Sequence, residues 1–271
     1  MIRCYKSIMP ITQQILLYMP SWMIVVVLTA SFVAISICGL TLVRRFIPIH
    51  KLKVHNDVAG FIFATIGVIY AVMLAFMVMV SWQNFEGATK IVEKEASCLA
   101  AIYRDSQPLG NNFKLEVRSA IKDYIGSIIK DEWKTLTRGE QSEKTQVFSN
   151  KIWNLYGSYT PKTDIQKIFF AESVRKMNEV GELRRMRIIE SQAGIPSVLW
   201  VILFSGALIT ISFTFFFGTE NFGAQLLMTS ILAALIALIL FAIMSLDFPF
   251  TGDQTISPKP MKFILKHFSA Y

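Results

Sequence analysis

The chain has 271 residues, of which 53% are hydrophobic and 17% charged, with a formal net charge of +8 and a mean hydropathy of +0.47. A soluble domain carries about a quarter charged residues, so this composition excludes an ordinary soluble globular protein. In such an apolar chain the basic balance points to anionic lipid headgroups and not to nucleic acid.

No charged residue occurs in 7–43, 58–85, 191–219 or 221–246. Each gap exceeds the roughly 20 residues that cross a bilayer as a helix. The predicted fold class is therefore an all-α membrane protein with four transmembrane helices and a helical polar region. Residues 1–19 read as an N-terminal interfacial segment. Arg3 and Lys6 give it a basic start, as in a signal peptide. However, Pro10 and Pro20 interrupt the approach, the apolar run is too long and no small-x-small cleavage site follows, so the first helix, 20–43, is expected to be retained.

Residues 44–57 form a basic loop carrying Arg44, Arg45, Lys51 and Lys53. It ends in His55, Asn56 and Asp57, with Asp57 expected to cap the second membrane helix over 58–82. After Trp82 no proline and only Gly87 occurs until Gln107-Pro108. The second helix is thus free to continue to about residue 104, a length of about 70 Å.

The polar region, 83–194, shows helical periodicity. Phe113, Val117, Ala120, Ile121, Tyr124 and Ile128 follow three-and-four spacing. A second segment carries Val147, Phe148, Ile152, Trp153 and Tyr156. A third runs from Asp164, taken as its N-cap, to Ile189. Pro, Gly and Asn clusters separate these segments. Gly194-Ile195-Pro196 marks a kink before the third membrane helix, 195–217. The fourth, 222–246, leads into a C-terminal interfacial tail, 247–271.

With four crossings both termini share one side with the polar region. That side carries more lysine and arginine, which predicts that it is cytoplasmic. The competing indication is the density of basic residues in the 44–57 loop.

At 100° per residue, Gly60, Ala64, Gly67, Ala71 and Ala75 fall within an arc of about 80° on the second membrane helix. Asp57, Trp82, Glu86 and Glu93 project onto or near it. Two readings stay open. The arc is a packing seam where small residues let helices approach, or it lines a pore in a symmetric oligomer with acids at its mouths.

No ionisable side chain lies at mid-membrane depth in any predicted helix, which disfavours an ion-coupled transporter. It leaves a channel with an apolar constriction open. In the segment LDFPFTGDQTISP, Asp247 and Asp253 flank Pro249 and Gly252. This is either a turn anchored at the interface by Phe248 and Phe250, or a weak metal-ion site with Glu86. Calcium-loop spacing is absent. The basic run Arg184-Arg185-Met186-Arg187 is expected to meet lipid headgroups or neighbouring acids. Cys4, Cys38 and Cys98 form no CxxC pair. With three histidines, and no HExxH, GxSxG or phosphate-cradling loop, neither a cofactor nor enzyme activity is expected.

The stretches RRFIPIHKLKVHNDVAGFIFATIGVIYAVMLAF, VMVSWQNFEGATKIVEKEASCLAAIYR and LDFPFTGDQTISP resemble an uncharacterised bacterial family of bestrophin-like membrane proteins. The motifs are HND-x-x-G, the Trp and Glu ending the second helix, ExEA, and LD-x-PF-x-G. The resemblance implies a pentameric channel, anion-conducting in bestrophins, with the second membrane helix lining the pore and a cytoplasmic helical bundle. It makes Ile62, Phe63, Tyr70 and Phe76 candidates for a narrow neck. These bulky residues lie off the small-residue arc, so the two sets cannot all face one axis. The expected partners are membrane lipids, inorganic ions and further copies of the chain. The alternative is a non-conducting membrane scaffold or sensor whose bundle binds a partner.

Overall fold

The computed structural model describes residues 9–268, and every regular element among them is a helix. Arg3, Cys4 and Lys6 lie outside the described residues. The chain divides into two compact units.

The membrane unit comprises residues 10–83 and 194–247. It holds α1 (Ile11–Tyr18), α2 (Ser21–Phe46), α3 (Ile49–Lys53), the first part of α4 (Asn56–Asp105), α9 (Ser197–Thr214) and α10 (Phe222–Asp247). Prolines punctuate it. Pro10, Pro20, Pro48 and Pro196 each stand immediately before a helix. There their fixed φ is compatible with the first turn and their missing N–H costs nothing. α2 packs along α10. Phe32 meets Phe204 of α9 with ring centroids 6.3 Å apart. Among the described residues four helical stretches are long and apolar enough to cross a membrane, Ser21–Phe46, Asn56–Asp105, Asp164–Thr214 and Phe222–Asp247.

The turn between α9 and α10 is fastened to the 44–57 loop. Asn56 Nδ2 donates to Gly218 O at 2.9 Å, and Gly218 N–H donates to Asn56 Oδ1 at 2.9 Å. Arg44 Nη2 donates to Thr219 O at 2.6 Å, and Nε donates to Gln225 Oε1 at 3.1 Å. Lys53 pairs with Glu220. Asp57 is not the cap. The helix begins at Asn56, His55 O already accepts the N–H of Ala59, and Asp57 stands in the first turn. Asn56 takes the position before it because its amide can both donate to and accept from Gly218.

The polar unit comprises the rest of α4, α5 (Asn111–Ser127), a π-helical turn (Ile128–Glu132), α6 (Trp133–Leu136), α7 (Glu143–Ser158), α8 (Asp164–Gln192), the segment from Phe248 and α11 (Lys259–Phe268). Its core joins Leu99, Ile102, Ile121, Tyr124, Ile125, Met177 and Ile264. Ser142 caps α7 by accepting from Thr145 N–H at 3.3 Å. Thr163, one residue before the expected Asp164, caps α8 by accepting from Gln166 N–H at 3.2 Å. Its hydroxyl reaches the free N–H, and Asp164 becomes the first helical residue, where its charge suits the helix dipole.

Phe248 and Phe250 are buried and do not anchor at a lipid interface. Phe250 packs with Ala88, Val92 and Leu136 and meets the Trp133 ring edge-on at 5.8 Å. The turn that allows this contains Gly252 at φ +90°, a conformation that side chains with a Cβ rarely adopt.

Candidate functional site

α4 runs for 50 residues without a break, since nothing in its sequence after Asn56 interrupts the backbone ladder. Its apolar stretch is the least buried of the four, at 17%. A single stripe packs inside the membrane unit. Tyr70 is 5% exposed, and its hydroxyl donates to Leu203 O at 3.0 Å. Its ring occupies the space beside Gly206, where a Cβ would lie 2.6 Å from Cδ2 and Cε2. Phe63 packs against Phe213 at 6.1 Å and edge-on against Phe217 at 5.6 Å. The stripe therefore seats α4 against α9 and the turn after it.

Two of the four neck candidates, Phe63 and Tyr70, are thus committed to contacts within the chain itself. Ile62 and Phe76 are exposed. The small-residue arc is uncovered. A Cβ added at Gly60 or Gly67 meets nothing within 4 Å, and Ala64, Ala71 and Ala75 are exposed. On the helical projection this arc lies about 90° from the packed stripe. Directly opposite the stripe stand Phe61, Thr65, Val68, Val72 and Met79, and all five are exposed. This third face follows only from knowing where α9 sits, so periodicity alone did not reveal it.

At the ends of the apolar stretch, Asp57 and Trp82 are exposed. Glu86 pairs with Lys90 one turn on at 2.7 Å, and Glu93 is exposed. Asp247 is buried and accepts the N–H of Ile195 at 2.6 Å. That bond satisfies a backbone donor left free where the chain breaks before α9. Among the described residues no group of three His, Cys, Asp or Glu side chains is close enough to hold a metal ion. Asp247 belongs to the membrane unit, and Asp253 and Glu86 to the polar unit.

A sequence profile of the Bestrophin-like domain matches residues 30–261. The chain belongs to the Bestrophin-like family. Solved structures agree with this at the level of fold. A point variant of a bacterial bestrophin homologue from Klebsiella pneumoniae matches with a TM-score of 0.67 at 14% identity, covering 90% of this chain and 97% of that one. A second structure of the Klebsiella pneumoniae homologue gives 0.67 at 12% identity, over 90% and 96%. A structure described as a membrane protein gives 0.64 at 12% identity, over 90% and 96%. No curated protein matches the sequence.

The polar unit of this Bestrophin-like protein holds a second constellation, which the sequence reading of single motifs missed. Arg187 Nε donates to Glu95 Oε2 at 2.7 Å, and Nη2 donates to Glu95 Oε1 at 3.1 Å and to Glu132 Oε2 at 3.1 Å. Arg184 Nη2 donates to Glu132 Oε1 at 2.8 Å, and Nη1 donates to Gln146 Oε1 at 2.7 Å. The side chains of Glu95, Glu132 and Arg187 are wholly buried. The Arg187 guanidinium lies 5.3 Å from the centre of the Trp133 ring, and Trp133 Nε1 donates to Ile256 O at 3.0 Å. Tyr124 adjoins the group. Burial first, and the Glu95 charge second, push its phenol well above the ordinary value. Arg184 and Arg187 thus meet neighbouring acids, while Arg185 between them is exposed.

Proposed function

We propose that this Bestrophin-like protein assembles as a homo-oligomer, a pentamer by the family resemblance, and conducts ions across the cytoplasmic membrane along α4. The observation that carries this reading is the three-faced character of α4. One stripe packs within the protomer, one arc is small and uncovered, and the face opposite the stripe is open and apolar. Exposed residues on α2, α9 and α10 are mostly bulky, for instance Val26, Ile35, Val201, Ile209, Ile231 and Leu235, as suits lipid. α4 carries five uncovered or half-buried Gly and Ala on one arc, a longer run than the exposed Ala30, Ser31 and Ala34 of α2, and such a run lets another helix approach. We assign the arc of Gly60, Ala64, Gly67, Ala71 and Ala75 to contact with a neighbouring copy. Phe61, Thr65, Val68 and Val72 then line the conduction path.

Such a path has no charged side chain between Asp57 and Glu86. It therefore gates by wetting and drying of an apolar constriction, and anion conduction is the selectivity that the resemblance supports. The basic residues of the polar region and tail support a cytoplasmic location for the polar region and both termini.

The test is ion flux in liposomes containing the purified protein, with cysteines placed singly at Val68, Val72, Phe63 and Tyr70. Charged thiol reagents are expected to block flux at 68 and 72 and to leave 63 and 70 untouched. A well-folded oligomer with no flux of anions or cations would instead support a membrane scaffold or sensor that binds a partner through its helical bundle.

A further inference from the structure

We propose that Glu95, Glu132 and Arg187 are positioning residues that set the register of α4 against α8, and through it the alignment of the α4 pore face. The proposal rests on the channel reading above. Three observations carry it. First, Glu95 stands on the same uninterrupted helix as Val68 and Val72. Its carboxylate is held by both sides of one guanidinium fork, at 2.7 and 3.1 Å, which fixes rotation as well as distance. Second, Glu132 reaches both Arg184 and Arg187 from a π-helical turn. The wider turn re-aims its side chain away from the α5 periodicity. Third, Trp133 lies under the Arg187 guanidinium and is bonded to Ile256, so the segment following α10 closes over the same group.

Stability alone does not account for this arrangement. Burying four charges carries a large desolvation cost, and well-packed apolar residues of similar volume often serve a core as well or better. What buried charges supply is discrimination between registers. A slip of α4 by one residue would turn Glu95 by about 100°, leaving it buried without a partner and Arg187 with Glu132 alone, whereas apolar contacts such as Val92 with Phe250 tolerate small slips. Arg187 retains one buried N–H donor group, Nη1, without a partner, so its satisfaction depends on Glu95 and Glu132 staying in place.

The test compares wild type, Glu95→Gln, Arg187→Lys and the charge swap Glu95→Arg with Arg187→Glu, as full chains in liposomes. Two readouts are taken. One is ion flux with its anion-to-cation ratio. The other is the distance distribution between spin labels at the exposed positions Ser97 on α4 and Met186 on α8, with labelled chains diluted among unlabelled ones and the native cysteines replaced. Glu95→Gln is expected to shift or broaden the distances and to change flux by about 2- to 30-fold, with the ion ratio unchanged. The swap should return both toward wild type. Arg187→Lys keeps the charge and loses the fork, and gives the same comparison if Glu95→Gln does not assemble. Unchanged distances in the variants overturn the proposal whatever the flux does, and so do shifted distances with unchanged flux in a conducting protein. A wild type that conducts nothing overturns the channel reading instead, and the distances alone then decide whether the charges set the register.

Discussion

The Tyr70 ring occupies the place a side chain would take at Gly206, with its Cδ2 and Cε2 only 2.6 Å from where that Cβ would stand, while its hydroxyl donates to Leu203 O at 3.0 Å. The glycine and the phenol together let α4 and α9 meet closely. Tyr70→Phe keeps the packing and loses the hydrogen bond, so it should cost about 0.6–1.7 kcal/mol. Gly206→Ala forces the ring outward and should cost about 1–3 kcal/mol. Thermal unfolding of the purified protein in detergent should rank wild type above Y70F and Y70F above G206A. The reverse order would mean that the ring moves aside freely.

The Asn56–Gly218 pair is the second point of close approach. Asn56→Ala leaves a backbone N–H and a carbonyl of Gly218 without their partner, and should cost about 1–2 kcal/mol. Gly218→Ala should cost more, because its Cβ would stand 2.5 Å from Lys53 N, a backbone atom that cannot swing aside. Protease nicking of the turn at 218–221 reads the loosening directly, with N56A cut faster than wild type and G218A fastest.

For the buried charges, removing one partner should hurt more than removing both. Arg187→Ala leaves Glu95 buried and uncompensated, and should cost about 3–5 kcal/mol. Glu95→Leu combined with Arg187→Met removes both charges, and should recover most of that loss. A melting temperature of the double variant at or below that of R187A would contradict the account of a desolvated pair.

Alkali should loosen the polar unit in a defined window. Burial pushes the Tyr156 phenol up from its ordinary value near 10 to about 12, and Tyr124 is shifted in the same direction. Folding therefore favours the protonated phenols. The Tyr156 contribution is complete below about pH 10 and falls away as the pH rises through about 12, and Tyr124 acts in the same direction. Tyr124→Phe and Tyr156→Phe have no proton to lose at these positions. Each should move the alkaline unfolding midpoint, followed by tryptophan fluorescence, to higher pH.

The membrane fold was legible because it is written in long absences of charge, and those need no partner to interpret. The family was legible in three stretches that lie between residues 44 and 258. The buried charge group was not, because Glu95 and Arg187 lie 92 residues apart and a basic run such as Arg184-Arg185-Met186-Arg187 resembles a solvated face. A signal was present nonetheless. Arg184 and Arg187 continue the helical stripe of Met177, Val180 and Leu183, whereas Arg185 leaves it. Glu132 was beyond periodicity, since a π-helical turn shifts every later side chain by one position. Phe248 and Phe250 misled for another reason: aromatic residues after a membrane helix suit an interface and a core equally well, and only Trp133 and Val92 decide between them. On α4 the small arc was readable from spacing. The direction of the remaining faces was not, because it depends on Tyr70 finding Gly206.

The unbroken course of α4 has a mechanical consequence. Fifty residues of continuous helix make a rod about 75 Å long, and its hydrogen-bond ladder, free of proline, offers no hinge to absorb a displacement. Were the apolar part of α4 to line a conduction path as proposed, its unbroken ladder would carry Phe61, Thr65, Val68 and Val72 together, so that opening would be concerted along that stretch.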